Sequence, residues 1–317
     1  MPQAKLLTDL QRWRDTGAIR PEQYDVLSAL VRKERFSLFV ELHTLVYLGV
    51  VSIIAGVGWT IRVHFQGLGD TAILFALTGA LAGCLYYCFS RGRDYSNDRV
   101  EAPGFAFDYV LYLGCLVLGL ELGYLEFRFQ LLQGNWDNYL LLSACVCFVL
   151  AYRFDNRFVL SLALSTLAGW FGLRLSHFPE LGGASLRTSA LIYGSLVAAA
   201  GAGLFRAGVK KHFLDTYLHV AANVLFVALV SALFERRSDD LYLMGLLGLA
   251  GLAVVAGIRF RRFAYVVYGI VYGYVGISVR FLREVSSDTS ILAYIAVSST
   301  VVIVSLVVLA RRFGRDE

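Results

Sequence analysis

Charge is what this sequence has least of. Asp, Glu, Lys and Arg make up 17% of its 317 residues against 57% hydrophobic ones, and the mean hydropathy is +0.62. That composition excludes a soluble globular chain. Signatures of chemistry are missing too. No GxSxG, HExxH, Walker A or paired-aspartate motif occurs, and the loops are too short to hold the substrate of an intramembrane transferase. The expectation is a protein that is not an enzyme, with no catalytic residue, metal or cofactor. Cys84, Cys88, Cys115, Cys145 and Cys147 all fall in apolar runs without a CxxC pattern or a His partner, so they read as small packing residues. Gly182-Gly183 lacks the Lys-Ser/Thr of a phosphate cradle and reads as a turn. No cleavable signal peptide is expected either, since the N-terminus is charged and amphipathic.

What is present is a series of about ten apolar runs of membrane-spanning length. They cover 42–63, 70–90, 105–126, 138–152, 157–175, 187–206, 213–234, 240–258, 263–282 and 290–310, the fourth being short. With the N-terminus in the cytoplasm, the inner segments hold 21 of the 29 Lys and Arg and the outer ones 8. The positive-inside rule then puts both termini in the cytoplasm, as an even number of spans requires. The same distribution argues against nucleic acid as a partner despite the net charge of +5. The predicted fold is all-α: a polytopic helical bundle at residues 41–312, preceded by a cytoplasmic head at 1–40 and followed by a tail at 313–317.

In the head, Leu6, Leu7, Leu10 and Trp13 follow helical spacing, Gly17 ends that helix, and Pro21 opens a second one striped by Tyr24, Leu27, Leu30 and Val31. Such an αα-hairpin buries little surface alone. It is expected to dock on a second copy of the chain, a partner protein or the cytoplasmic loops. Its basic residues are interleaved with Asp9, Asp15, Glu22, Asp25 and Glu34, unlike a DNA-binding helix-turn-helix. The run Leu10-Gln-Arg-Trp13 followed by Gly17-Ala-Ile-Arg-Pro-Glu-Gln23 resembles the leader of the bacterial membrane protein family labelled domain of unknown function 2157. Arg20 stands where that family has Ser or Thr, so the usual N-cap is missing. The resemblance implies an inner-membrane protein and carries no catalytic residue to transfer.

Polar residues inside the spans are the candidates for function. Asp215, His219 and Asn223 recur every four residues on one helix face and reach about 12 Å along the axis, roughly to the bilayer midplane. One reading is a proton or cation relay. The plainer one places Asp215 at the interface beside Lys210 and Lys211, with His219 and Asn223 bonding neighbouring helices. Glu121 lies within the third span, and Arg280, at similar outer depth, is its expected partner. Asp108, with Tyr112, is expected to be interfacial and solvated. In the ninth span Gly269, Gly273 and Gly276 form one face and Tyr265, Tyr268 and Tyr272 an adjacent one, either a pore-lining ladder or interhelical hydrogen bonds. Gly79/Gly83 and Gly119/Gly123 are further close-packing pairs, and Gly245, Gly248 and Gly251 line another span.

Odd-numbered spans carry an Arg near their outer ends (Arg62, Arg128, Arg174, Arg236 and Arg280), and the loop stretches 152–158 and 258–263 look alike. Both hint at a repeated two-helix hairpin, although membrane interfaces select Arg and aromatics at every crossing. The leading functional expectation is a secondary transporter or flippase of the inner membrane for a small solute or lipid. The alternative is a scaffold or sensor that recruits a partner through the head.

Overall fold

In a computed structural model of the chain, residues 3–31, 39–64, 69–104, 106–130, 136–176, 186–234, 240–284 and 288–315 are described. Every regular element among them is helical. The head has α1 (Gln3–Asp15) and α2 (Pro21–Val31). Then follow α3 (Phe39–His64), α4 (Asp70–Arg91), α5 (Phe107–Phe129), α6 (Trp136–Phe154), α7 (Arg157–Ser176), α8 (Leu186–Arg206), α9 (Leu214–Leu233), α10 (Asp240–Arg259), α11 (Phe263–Glu284) and α12 (Asp288–Arg315), with a 3-10 turn at Lys211–Phe213 leading into α9. Among the described residues, nine helices, α4 to α12, are long and apolar enough to cross a membrane, and α3 adds a shorter apolar stretch at Leu45–Thr60. The chain is a polytopic helical membrane protein. The fourth run is not short after all, because α6 takes in Trp136 and Phe154 at its ends.

The chain divides into two units, Met1–Gly49 with Ile303–Glu317, and Val50–Val302. In the first, Gly17 turns the chain at φ +73, a conformation an L side chain adopts only with strain. The missing N-cap of α2 is offset from the other side: the Gln23 side chain accepts the Arg20 N–H at 2.9 Å, the reciprocal half of a capping box. Leu10 and Tyr24 are buried, and the Arg14 guanidinium lies 4.7 Å from the centre of the Tyr24 ring.

The second unit is built from consecutive antiparallel hairpins, α4–α5, α6–α7, α8–α9 and α10–α11. Three of them close their open ends with the same device. Asp70 at the start of α4 meets Arg128 near the end of α5 at 2.7 Å, Asp137 of α6 meets Arg174 of α7 at 3.1 Å, and Asp240 of α10 meets Arg280 of α11 at 4.0 Å. Each acid sits at a helix N-terminus and each Arg near a C-terminus, which also suits the helix dipoles. Asp137 is buried, but the three arginines and Asp240 are exposed and such pairs contribute little stability, so we read them as setting hairpin register. Arg128, Arg174 and Arg280 are thus part of a recurring pattern; Arg62 and Arg236 lie outside the residues whose side chains are described.

Close packing at glycine is narrower than the sequence suggested. A Cβ on Gly269 would lie 2.5 Å from the Ala250 carbonyl oxygen, and one on Gly276 would lie 2.4 Å from the Leu246 side chain, so this face of α11 is pressed against α10. Gly273 sits 3.5 Å from the Ala250 side chain by the same measure. Gly79, Gly83, Gly119, Gly123, Gly248 and Gly251 meet nothing within 4 Å, and Gly245 only Leu229 at 3.6 Å. Those glycines face the perimeter or a cleft rather than a helix. The unforeseen close approach is between α8 and α9, where Gly194 faces Leu225 at 2.7 Å and Gly201 faces Tyr217 at 2.6 Å.

This contrast gives a two-sided prediction. Gly269→Leu collides with α10 backbone and costs at least the roughly 1–3 kcal/mol of an overpacked core. Gly119→Leu enters open space and leaves stability within about 0.5 kcal/mol. Thermal melts and monodisperse yield in detergent distinguish them, and similar losses in both would refute the packing described.

Candidate functional site

The polar stripe of α9 and the tyrosine face of α11 are each other's partners. Asp215, in the first turn of α9, accepts from Arg262 at 2.9 Å and from the Tyr265 hydroxyl at 3.2 Å. One turn on, His219 Nδ1 is 3.1 Å from the Tyr268 hydroxyl, and its ring stacks on Tyr265 with centroids 4.8 Å apart. One further turn on, Tyr272 donates to Asn223 Oδ1 at 3.2 Å, while Asn223 Nδ2 donates to the His219 carbonyl at 2.8 Å. The four-residue steps on α9 meet a three- and four-residue ladder on α11, which is why the rungs stay in register over more than two turns.

The seam is polar at one end only. Beyond Asn223, Phe226 stacks on Tyr272 with centroids 4.6 Å apart. Phe226 then belongs to an apolar cluster with Leu233, Leu246, Ala250 and Ala253. Along the seam one link is open: His219 Nε2 stands 3.9 Å from Asp215 Oδ1, too far for a hydrogen bond. Chemically this is a chain of titratable and hydroxyl groups reaching from the α10–α11 connection to about mid-span, closed below by aromatic stacking. The tyrosines serve the interhelical bonding expected of them.

Glu121 is not paired with Arg280. Its carboxylate accepts from Thr78 of α4 at 2.5 Å, while Arg280 stands with Asp240 at the open end of its own hairpin. Depth alone had suggested the pair, but α5 packs beside α4, α6 and α7 and not beside α11. Glu121 Oε2 is enclosed without a hydrogen-bond partner among the described residues. Asp108 is likewise less solvated than expected: it is half-buried and accepts from Asn156 at 2.8 Å.

A second cluster, not anticipated as a site, lies where three hairpin connections meet. Asp155, between α6 and α7, has a side chain only 1% exposed. It accepts the Val100 N–H of the α4–α5 connection at 2.6 Å, lies 3.3 Å from Lys210 Nζ and bonds His212 Nε2. Lys210 is fully enclosed, with the Tyr95 ring centre 5.0 Å from its Nζ, and forms no hydrogen bond among the described residues. Both ion-pair residues have left-handed backbones, Asp155 at φ 58 and Lys210 at φ 42. Asp155 follows the end of α6, with Asn156 N–H bonded back to the Ala151 carbonyl, where glycine is the usual residue. Burial alone would push the Asp155 carboxyl up, but the Val100 amide, His212 and Lys210 outweigh it and hold it below the ordinary carboxylate range. The sequence signal was slight: an acid in a connection too short to keep it in water.

The cysteines are free, with Cys88, Cys115 and Cys147 buried and Cys145 exposed, and no group of three or more metal-ligating side chains occurs among the described residues. The Gly182-Gly183 turn lies outside the described residues. Residues 11–160 match the family model described as Predicted membrane protein (DUF2157), the family that the head resembles. The matched segment contains Asp155 and Asn156 and ends before Lys210 and the α9–α11 seam. No curated protein and no solved structure matches the chain.

Breaking a buried pair strands the remaining charge, so Asp155→Asn is expected to cost about 3 kcal/mol or more at neutral pH. A carboxyl whose pKa is depressed by folding contributes fully above its unfolded value of about 3.9 and loses that contribution as pH falls through the lower folded value. Melting curves of wild type and Asp155→Asn should therefore converge below about pH 4. A gap of constant size from neutral to strongly acid pH would refute the assignment.

Proposed function

We propose that this chain is a proton-coupled secondary transporter or flippase, with the α9–α11 seam as its coupling element. The observation that supports the reading is the alignment of Asp215, His219 and Asn223 with Tyr265, Tyr268 and Tyr272 into one chain of exchangeable protons. A half-path closed by apolar packing suits alternating access, in which a proton enters from one side before the bundle rearranges. Intramembrane titratable residues of this kind mark proton paths in pumps and transporters. On this reading the protein works in an inner membrane with both termini and the hairpin connections in the cytoplasm, as the excess of Lys and Arg there supports. It needs no cofactor and carries out no covalent chemistry.

The second reading is a scaffold. It is favoured by the head, where Trp13 is 48% and Leu27 38% exposed. Two short helices that leave such residues uncovered suit a hairpin that docks on another protein or a second copy.

Proton flux separates the two. In proteoliposomes with a trapped pH dye and an imposed potential, wild type should acidify the lumen, and His219→Ala should reduce the rate at least tenfold. Tyr268→Phe, which keeps the ring and removes the hydroxyl, should give an intermediate rate. Equal flux in wild type and His219→Ala would sink the transport reading, as would a loss that merely tracks folded yield. If flux is absent and deletion of residues 1–36 removes a co-purifying protein, the scaffold reading replaces it.

A further inference from the structure

We propose that the cleft between α5, α6 and α7 is a lipid site, which holds one acyl chain of an anionic phospholipid with its phosphate at Arg174. The cleft is lined by none of the residues of the α9–α11 seam, and the inference does not rest on the transport reading.

The cleft has a volume of about 480 Å³, within the range of ordinary ligand sites. It exists because α5 presents Gly119 and Gly123 there, where a Cβ would meet nothing within 4 Å. Gly119 and Leu173 are exposed, so the cleft opens at the surface of the bundle, within the spans. Its hydroxyls are already engaged. Thr166 donates to the Leu162 carbonyl at 2.9 Å, Ser143 bonds Cys147, and the Tyr139 hydroxyl bonds Glu126. What faces the cleft is therefore hydrocarbon, which offers water and polar solutes no partners. In a bilayer the material at such an opening is acyl chain.

Length and charge select the rest of the ligand. From Cys115 at the deep end to Glu126 beside the mouth, α5 rises about 16 Å. That is about half the roughly 30 Å hydrocarbon core, the reach of a chain from one leaflet. Polar groups gather at one end only, the open end of the hairpins. Glu126 and Asp137 are buried there, while Arg174, next to Leu173, has half its side chain exposed. With the acids turned in and the guanidinium out, the mouth suits a phosphate and an anionic headgroup.

Photolabelling tests the site. In phosphatidylcholine nanodiscs, a phosphatidylglycerol probe with a diazirine on its acyl chain should crosslink to α5 and α6 at least tenfold more than to α12. Leu292, Val301 and Ile303 of α12 are exposed and report ordinary bilayer contact. Gly119→Leu fills the cleft and should cut the α5 and α6 labelling at least tenfold while the melting temperature holds. Gly123→Leu should do the same from one turn away, and keeps the test open if the first variant does not fold. A phosphatidylcholine probe at the same mole fraction should label at least threefold less than phosphatidylglycerol. The double variant Asp137→Asn/Arg174→Gln, which strands no buried charge, should erase that difference. Labelling spread evenly over α5, α6 and α12, or unmoved by both glycine variants, would overturn the site. Equal labelling of wild type by the two probes would overturn the anionic headgroup. Neither readout involves proton flux, so the lipid site and the transport reading stand or fall separately.

Discussion

A polar group inside a bilayer has no water to turn to, so each one must find its partner within the protein. That constraint orders the whole second unit. Tyr193 of α8 donates to the Leu164 carbonyl of α7 at 2.5 Å, Tyr152 of α6 meets Tyr217 of α9 at 3.0 Å, and α11 bonds α12 through Tyr274–Ser298 and Ser278–Tyr294. Tyrosine recurs because its ring fills interhelical space and its hydroxyl reaches one helix further. The α9–α11 seam is the densest case of the same rule, and the only run in the described residues where the partners also include an acid, an imidazole and an amide in sequence.

The constraint divides the helix contacts into two kinds. Within hairpins α8–α9 and α10–α11, contact is by glycine and aliphatic side chains, with Gly201 against Tyr217, Gly257 against Val266 and Gly269 against Ala250. Such surfaces interdigitate and do not slide cheaply. Between hairpins the two kinds mix: apolar clusters join α9 to α10 and α4–α5 to α6–α9, while hydroxyls, an imidazole and an amide bridge α6 to α9 and α9 to α11.

Periodicity made much of this legible. The apolar runs located the helices, and the four-residue recurrence of Asp215, His219 and Asn223 and the tyrosine face of α11 were both visible as faces. Their meeting was not, because spacing along one helix says nothing about which neighbour it faces. The same gap misplaced Glu121: depth matched it to Arg280, while the neighbour that α5 has is Thr78 of α4. Small-xxx-small spacing marks a smooth face but not what covers it, so Gly79/Gly83 and Gly119/Gly123 looked like Gly269/Gly273 without sharing its environment. Asp155, Lys210 and His212 were hidden for a different reason. Basic connections are what the positive-inside rule expects, and the rule left no residue over to explain. The clue that remained was conformational, an Asp and a Lys at helix ends where glycine is the economical choice.

The two polar features are joined by covalent chain. Lys210 and His212 belong to the ion cluster, Phe213 is buried between Tyr152 and His212 rings, and Asp215 opens the seam. The 3-10 turn Lys211–Phe213 leads directly into α9, so the two features share one short stretch of backbone. The open link between Asp215 and His219 is the part of the seam nearest that turn. A shift of about 1 Å at Asp215 is enough to make or break it, since hydrogen bonds lie within a range of roughly half an ångström. The buried lysine and the open link of the seam thus lie on either side of a single 3-10 turn.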